Sequence, residues 1–268
     1  MKKSAIKPMP WDAHCYSKNS TPQYQAGLKF ISSYKFKGNE KVLSIGCGPG
    51  AIEAVIVDLV PQGQVTGIDS SSSMIAEANA KHDKANLKFF LMDAQEISFP
   101  QKFDLIISTF CLHWVTNKAL AFRKIAEHLA ENGAVLLIMS LPNLGTAAIR
   151  EKLIHQTEWR EYFKDYDDPR KALFDTAYEK YAKSANLANI HYETIIITER
   201  FSNVEALGSF LKNIMALERL PTDALRDRFI KQLVNKYCEK HPVAEDGSCE
   251  ITYNYVQLRA GAETFSEN

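Results

Sequence analysis

A glycine loop that follows a short apolar strand constrains the fold of this chain more than any other feature. Residues 42–45 (VLSI) predict a short buried strand, and the segment 46–50 (GCGPG) follows directly. Its three glycines allow the backbone to lie against a ligand with no side chain between. A second apolar strand at 64–68 ends at Asp69, where a carboxylate can bond both hydroxyls of a ribose. The pattern predicts a site for a nucleotide-type cofactor.

The rest of the chain alternates strand and helix patterns, which predicts an α/β fold with a doubly wound, mostly parallel sheet. Strands are predicted at 41–46, 64–68, 87–91, 103–108, 134–139, 189–199 and 250–259. Helices are predicted near 20–34 and at 51–60, 73–81, 118–131, 144–186, 203–217 and 222–239. Asn132-Gly133 is expected to end the helix before the fifth strand. The whole predicts a seven-stranded, Rossmann-like sheet with a helical lid.

We expect one structural domain with insertions, in three parts. Residues 1–40 form an N-terminal cap segment, residues 41–140 form the cofactor-binding core, and residues 141–268 form the helical lid plus the last strands. Ligands of doubly wound sheets bind beyond the carboxyl ends of the strands. The cofactor and any second substrate are therefore expected at that edge.

Charge and composition exclude several classes of protein. Lys and Arg together number 32, as do Asp and Glu, so the formal net charge is zero. A neutral chain argues against a nucleic-acid partner held by phosphate contacts. No apolar run reaches the length of a membrane span, and the first residues lack the apolar region of a secretory signal. The five cysteines do not suggest a disulfide framework. We expect a cytoplasmic monomer that binds neither nucleic acid nor membrane.

The glycine loop alone does not identify the cofactor, because Gly46–Ala51 with Asp69 also satisfies a relaxed dinucleotide fingerprint. Pro49, however, lies where a dinucleotide loop opens a helix with free N–H donors. The sequence has no Tyr-x-x-x-Lys pair, which short-chain dehydrogenases use. Asp93 follows the third predicted strand, where a carboxylate can accept a hydrogen bond from the amino group of an adenine. An NAD-dependent dehydrogenase is therefore the less favoured alternative.

In combination, the glycine loop, Asp69, Asp93-Ala94 and Asn132-Gly133 resemble the class I S-adenosylmethionine-dependent methyltransferases over about residues 41–140. The resemblance implies S-adenosyl-L-methionine as cofactor. It implies that the loop packs against the methionine part, that Asp69 holds the ribose and that Asp93 meets the adenine. The implied cofactor-binding residues are Gly46, Cys47, Gly48, Asp69, Ser70, Met74, Asp93, Ala94 and Thr109. In the structural alternative, Asp69 and Asp93 merely cap the helices that follow them.

Residues 108–115 (STFCLHWV) follow the fourth predicted strand and are the candidates for contact with the methyl acceptor. They lack the Asn/Asp-Pro-Pro-Tyr/Phe tetrad of DNA amino-methyltransferases. The CLHWV segment resembles the group of trans-aconitate, malonyl-carrier-protein and juvenile hormone acid methyltransferases, all of which methylate a carboxylate. Residues 16–23 resemble the segment that closes over the cofactor in the juvenile hormone enzymes. The resemblance implies that Gln23 and Trp114 bond a small-molecule carboxylate.

The chemistry makes a carboxylate plausible without the resemblance, because a carboxylate is ionised at neutral pH and needs no general base. Neutral donors such as Gln23 and the Trp114 indole position it without overstabilising the ground state. Three alternatives stay open. His113 could serve as base for a hydroxyl, phenol or amine acceptor, or be a structural histidine bonded to backbone. Trp114 could be plain core. The chain could also be a cofactor-binding module without catalysis.

The sequence does not predict a metal site. Cys238, His241 and Cys249 have a spacing that could suggest zinc, but a fourth ligand is not evident and the region has the pattern of a helix followed by a strand.

Overall fold

The computed structural model describes residues 21–142, 144–164, 175–215, 217 and 219–262. The strands are β1 (Lys41–Ile45), β2 (Gln64–Asp69), β3 (Leu87–Leu91), β4 (Phe103–Thr109), β5 (Leu129–Ser140), β6 (His191–Phe201) and β7 (Cys249–Gly261). The helices are α1 (Thr21–Ile31), α2 (Ala51–Leu59), α3 (Ser72–Lys81), α4 (Lys118–His128), α5 (Leu144–Ile154), α6 (Tyr178–Ser184), α7 (Val204–Ile214) and α8 (Asp223–Cys238). A 3₁₀ turn at Leu112–Trp114 follows β4.

The seven strands form one sheet in the order β3-β2-β1-β4-β5-β7-β6. Strands β1 to β5 pair in parallel, with Ile45 opposite Ile68 and Leu43 opposite Ile106. The strand order reverses between β1 and β4, and ligands of such sheets bind at the carboxyl ends beside this switch point. The glycine loop leaves β1 there, and the 3₁₀ turn leaves β4 beside it. The predicted α/β fold with a mostly parallel, seven-stranded sheet is confirmed.

The first of two compact units contains β1 to β5 and comprises the described residues within 1–140, 175–194 and 256–268. Its central strands are buried on both faces, as all-parallel strands between helices must be. Val42, Ile106 and Leu137 are fully buried. Continuous apolar runs rather than alternating patterns therefore mark these strands in the sequence.

The second unit comprises the described residues within 141–174 and 195–255. It has its own apolar core, built around Trp159, which is fully buried. The Trp159 ring packs edge-on against Phe229 at 5.1 Å, and its indole N–H donates to Gln232 Oε1 at 2.8 Å. Part of the predicted helical stretch 144–186 lies outside the described residues, at 165–174. Within the described residues, no helix combines the length and apolarity needed to cross a bilayer.

Element positions agree with the sequence patterns except in two places. In the predicted helical stretch 144–186, α5 ends at Ile154 and turns and bends occupy 155–164. The second difference is at the start of β5. The helix predicted at 118–131 ends at His128, and Asn132-Gly133 lies inside β5 rather than capping a helix. The prediction was wrong because glycine has a different role here. A Cβ on Gly133 would lie 2.8 Å from Leu129 Cδ1 and 3.0 Å from Phe103 O, so the strand needs glycine for close backbone approach.

Candidate active site

The glycine loop is built so that side chains cannot occupy it. Gly46, Gly48 and Gly50 have φ values of 73°, 54° and 82°, a left-handed region that favours glycine. A Cβ on Gly46 would lie 2.3 Å from Cys111 Sγ, far inside contact distance. The Gly46 and Cys47 N–H groups both donate to Ile68 O, at 2.7 and 3.0 Å. The loop is thus held against the end of β2.

Asp69 ties the end of β2 to this loop. Its Oδ2 accepts from Gly48 N at 3.0 Å, and its Oδ1 accepts from Ser71 N at 2.8 Å. Burial raises the pKa of its carboxyl, against the lowering effect of these two bonds. The side chain that caps α3 belongs to Ser71, which accepts from Met74 N. The capping alternative for Asp69 is therefore wrong, and each carboxylate oxygen retains a lone pair for a hydroxyl.

The remaining predicted cofactor residues lie at neighbouring strand ends. Met74 is buried, and its Sδ is the heavy atom nearest to the Cβ position of Gly48, at 3.9 Å. Ser70 is exposed directly after Asp69. Asp93 follows β3, and its Oδ1 accepts from the backbone and side-chain nitrogens of Gln95, at 2.7 and 3.0 Å. Ala94 beside it is buried. A turn rather than a helix follows Asp93, so the helix-capping alternative for Asp93 is wrong. Its adenine contact stays a prediction.

A buried carboxyl, which the sequence patterns did not identify, lies directly behind the loop. Glu53 in the first turn of α2 is 1% exposed. One of its oxygens accepts from Ser44 Oγ on β1, and Oε2 has no hydrogen-bond partner among the described residues. Burial raises the pKa of Glu53 to about 7. No sequence signal could have found this pair, because a glutamate in a helix is usually exposed.

Replacing Glu53 with glutamine should stabilise the protein at alkaline pH. The folded state raises the carboxyl pKa from 4.5 to about 7, so it binds the proton more tightly than the unfolded chain does. The free energy of unfolding therefore falls by about 3 kcal/mol in total as pH rises from 4.5 to about 7. The neutral amide avoids this loss, so the free energy of unfolding of Glu53→Gln should exceed that of the wild type by about 1–3 kcal/mol at pH ~8. Urea unfolding should show the difference shrinking toward pH ~5; a pH-independent difference would contradict the assignment.

The chain leaves β4 through an unusual backbone conformation at Phe110. This residue has a φ of 53°, which side chains rarely adopt, and it is buried. Such strain costs about 1–3 kcal/mol and persists where the surrounding structure holds it. Thr109, a predicted cofactor contact, immediately precedes Phe110 at the end of β4. Sequence reasoning missed Phe110, since aromatic residues carry no local signal for a positive φ.

His113 in the 3₁₀ turn is buried, with 3% of its surface exposed. Its Nδ1 accepts from Ser140 N at 3.2 Å, so the neutral ring carries its proton on Nε2. Burial, with a smaller effect from Lys118, lowers the pKa of His113 to about 3. The backbone bond expected of a structural histidine is present, and the ring's basic nitrogen is occupied by it.

Trp114 and Gln23 lie on the two elements next to the end of β4, which are the 3₁₀ turn and α1. Trp114 is half-buried rather than fully buried, with its ring 5.3 Å from the His113 ring. On α1, a Cβ at Gly27 would lie 3.3 Å from Thr109 Cγ2, so this helix packs against the end of β4. Gln23 precedes Gly27 by one helical turn and shares its face. Residues 16–20 of the predicted closing segment lie outside the described residues.

The described residues contain no group of three or more His, Cys, Asp or Glu side chains placed to hold a metal ion. Cys238 and Cys249, considered above for zinc, are free thiols.

Comparisons with known proteins find methyltransferases. Residues 42–133 match the family described as "Methyltransferase domain". The chain is 30% identical over 251 residues to protein 235L of Invertebrate iridescent virus 6, named as a methyltransferase, covering 93% of this chain and 91% of that protein. It is 22% identical to the juvenile hormone acid O-methyltransferase of Bombyx mori, covering 93% and 96%. It is 23% identical to the trans-aconitate 2-methyltransferase of Acidovorax sp. (strain JS42), covering 88% and 92%.

A solved structure supports the fold. The phosphoethanolamine N-methyltransferase 2 of Haemonchus contortus, in complex with S-adenosyl-L-methionine, has a TM-score of 0.60 and 19% identity; the match covers 93% of this chain and 56% of that one.

Proposed function

This chain belongs to the class I S-adenosylmethionine-dependent methyltransferases, and we propose that it methylates the carboxylate of a small-molecule acid. Two of its relatives are named for acid substrates, juvenile hormone acid and trans-aconitate. The observation that carries the proposal is the bond from Ser140 N to His113 Nδ1. It occupies the nitrogen that would have to take a proton, so in this proposal His113 is not the base. A carboxylate is the acceptor that needs none.

The cofactor of this family is S-adenosyl-L-methionine, and the residues at the switch point fit it. Gly46 has no space for a Cβ because Cys111 packs against it, and Asp69 keeps lone pairs for both ribose hydroxyls. We assign the methionine part to the loop and the adenine to Met74, Asp93 and Ala94. When bound, the cofactor supplies an electrophilic methyl group on its sulfonium.

The protein's own contribution is then alignment and exclusion of water, which bring an already ionised nucleophile in line with the methyl group. We assign this role to Trp114 and Gln23. Both are neutral hydrogen-bond donors. A cationic side chain would bind the anionic ground state more tightly than the transition state, in which the carboxylate loses charge. Neutral donors limit that cost.

His113 acts, in this proposal, as a positioning residue. Its bond to Ser140 N joins the 3₁₀ turn that carries Trp114 to the end of β5. Lys118 lies close behind, donating to Val115 O at 3.1 Å, and its pKa is lowered by burial. A neutral imidazole is the form that can accept the Ser140 N–H. The assignment of His113 as a base for a hydroxyl, phenol or amine acceptor is therefore disfavoured.

Paired substitutions of Trp114 and His113 test the proposal. Trp114→Phe keeps an aromatic ring and deletes the N–H, which should cost about 1–3 kcal/mol, or one to two decades in kcat/KM. His113→Asn keeps an acceptor for Ser140 N and should retain most of the turnover. With the His113 pKa near 3, kcat of the wild type at saturating S-adenosylmethionine and acceptor should also stay flat from pH ~6.5 to ~8.5.

The opposite pattern would overturn the carboxylate proposal. In it, His113→Asn abolishes turnover, Trp114→Phe has no effect, and kcat of the wild type at saturating S-adenosylmethionine follows a single ionisation close to that of free histidine. Far-ultraviolet circular dichroism and melting temperature of both variants control for misfolding.

A further inference from the structure

The buried carboxyl of Glu53 lies beside the cofactor loop but has no role in the mechanism above. It belongs to the first turn of α2, which begins directly after Gly50. Its carboxyl accepts a hydrogen bond from Ser44 Oγ, two residues before Gly46 on β1. Both ends of the glycine loop are thus joined through this pair. Oε2 is buried and lacks a partner within the described chain.

We propose that Glu53 senses the charge of the cofactor: it ionises when S-adenosylmethionine binds, and so makes the site favour S-adenosylmethionine over its product S-adenosylhomocysteine. The inference rests on the family's cofactor and not on the identity of the methyl acceptor. Glu53 is offered as a specificity-determining residue that acts through its electric field. Oε2 is buried. Glu53 therefore acts in this proposal without contact between its carboxyl and the ligand.

The titratable groups around Glu53 place it within electrostatic reach of the cofactor site. Asp69, assigned to the ribose, raises the pKa of Glu53, after the larger effect of burial. Glu53 and Asp69 in turn both raise the pKa of the Cys47 thiol in the glycine loop, again after burial. Ser44 acts in the opposite sense, since its hydrogen bond lowers the pKa of Glu53. Glu53 therefore lies among anionic and neutral groups, where an added positive charge has a large effect.

The two ligands differ by one positive charge. S-adenosylmethionine carries a sulfonium, an ammonium and a carboxylate, whereas the homocysteine product lacks the sulfonium charge. A positive charge near a buried carboxyl favours its ionised form. Without ligand, the pKa of Glu53 is about 7, so both forms are populated near neutrality. Linkage then requires that the ligand which promotes proton release gains affinity as pH rises. This gain should be greater for S-adenosylmethionine.

Isothermal titration calorimetry of the full chain with each ligand tests this directly. Titrations at pH ~7 in two buffers of different ionisation enthalpy give the number of protons released. We expect greater proton release with S-adenosylmethionine than with S-adenosylhomocysteine. The Kd for S-adenosylhomocysteine divided by the Kd for S-adenosylmethionine should rise about fivefold or more between pH ~6 and ~8. A factor of about five is the lower end of typical coupling factors.

Two variants separate Glu53 from other groups. Glu53→Gln should remove the difference in proton release and make the ratio of Kd values independent of pH. Ser44→Ala should move the inflection in the pH dependence of the ratio of Kd values to higher pH, because it removes the hydrogen bond that lowers the Glu53 pKa. If Glu53→Gln does not fold, an unmoved inflection in Ser44→Ala is sufficient to reject the proposal.

Other outcomes also overturn it. Equal proton release by the two ligands in the wild type would show that the site does not sense the sulfonium charge. A difference that persists in Glu53→Gln and disappears in His82→Asn would assign it to His82, whose Nε2 donates to Pro49 O at 3.1 Å behind the loop. No acceptor is present in these titrations, so their result is independent of the carboxylate proposal.

Discussion

Replacing Gly46 with alanine should abolish measurable binding of S-adenosylhomocysteine. The added Cβ would lie 2.2 Å from Cys111 Cβ and 2.3 Å from Cys111 Sγ, and Gly46 has a φ of 73°. The left-handed backbone costs an alanine about 1–2 kcal/mol, and relief of the overlap costs about 1–3 kcal/mol more. Both costs fall on the loop that we assign to the cofactor. Calorimetric titration measures the affinity, and urea unfolding measures the stability.

Gly247→Ala is the matched control. Gly247 has a φ of 81°, close to that of Gly46, but a Cβ there would meet nothing within 4 Å. It should lose only about 1–2 kcal/mol of stability and bind the cofactor normally. If Gly46→Ala binds as tightly as Gly247→Ala does, the loop is not the site that we describe.

Asp69→Ala should weaken the affinity for S-adenosylhomocysteine at least tenfold. A hydrogen bond to a charged group contributes about 1.5–3 kcal/mol, equivalent to about ten- to hundredfold in Kd. Asp69 would supply such bonds to the ribose, and its Oδ2 also holds Gly48 N in place. The change therefore removes a ligand contact and one anchor of the loop. Titration calorimetry on the folded variant gives the loss.

Asp104→Ala provides the comparison for this change. Asp104 Oδ2 accepts from Lys41 N at 2.8 Å, so it too bonds a backbone N–H, but at the start of β1 and away from the glycine loop. Its loss should leave the affinity unchanged. Equal affinity in both variants would mean that the ribose is held by other residues.

The sequence predicted most of the fold because its signals are local. Parallel strands buried on both faces appear as apolar runs, and glycines that need positive φ mark the cofactor loop. These signals located β1 to β4 and the loop 46–50 to within about two residues. Asp69 could be predicted for the same reason, since its position follows from the end of a strand that was already located.

The features that the sequence did not reveal depend on tertiary contacts. Gly133 carries the pattern of a helix end, but its close approach to Phe103 O places it within β5. The tautomer of His113 is set by Ser140, which is distant in sequence. The Glu53–Ser44 pair requires that α2 lie over β1 in a particular rotation. None of these contacts produces a periodic pattern in the sequence.

The most direct test of the carboxylate assignment uses matched acceptors. Purified protein with isotopically labelled S-adenosylmethionine is offered long-chain and short-chain carboxylic acids, each beside the primary alcohol and the amine of the same skeleton, together with a set of phenols. We expect labelled product from one or more acids and none from the matched alcohols and amines. The label should be lost as methanol under mild alkali, as a methyl ester requires. Transfer to an alcohol, phenol or amine in preference to every acid, giving an alkali-stable product, would contradict it.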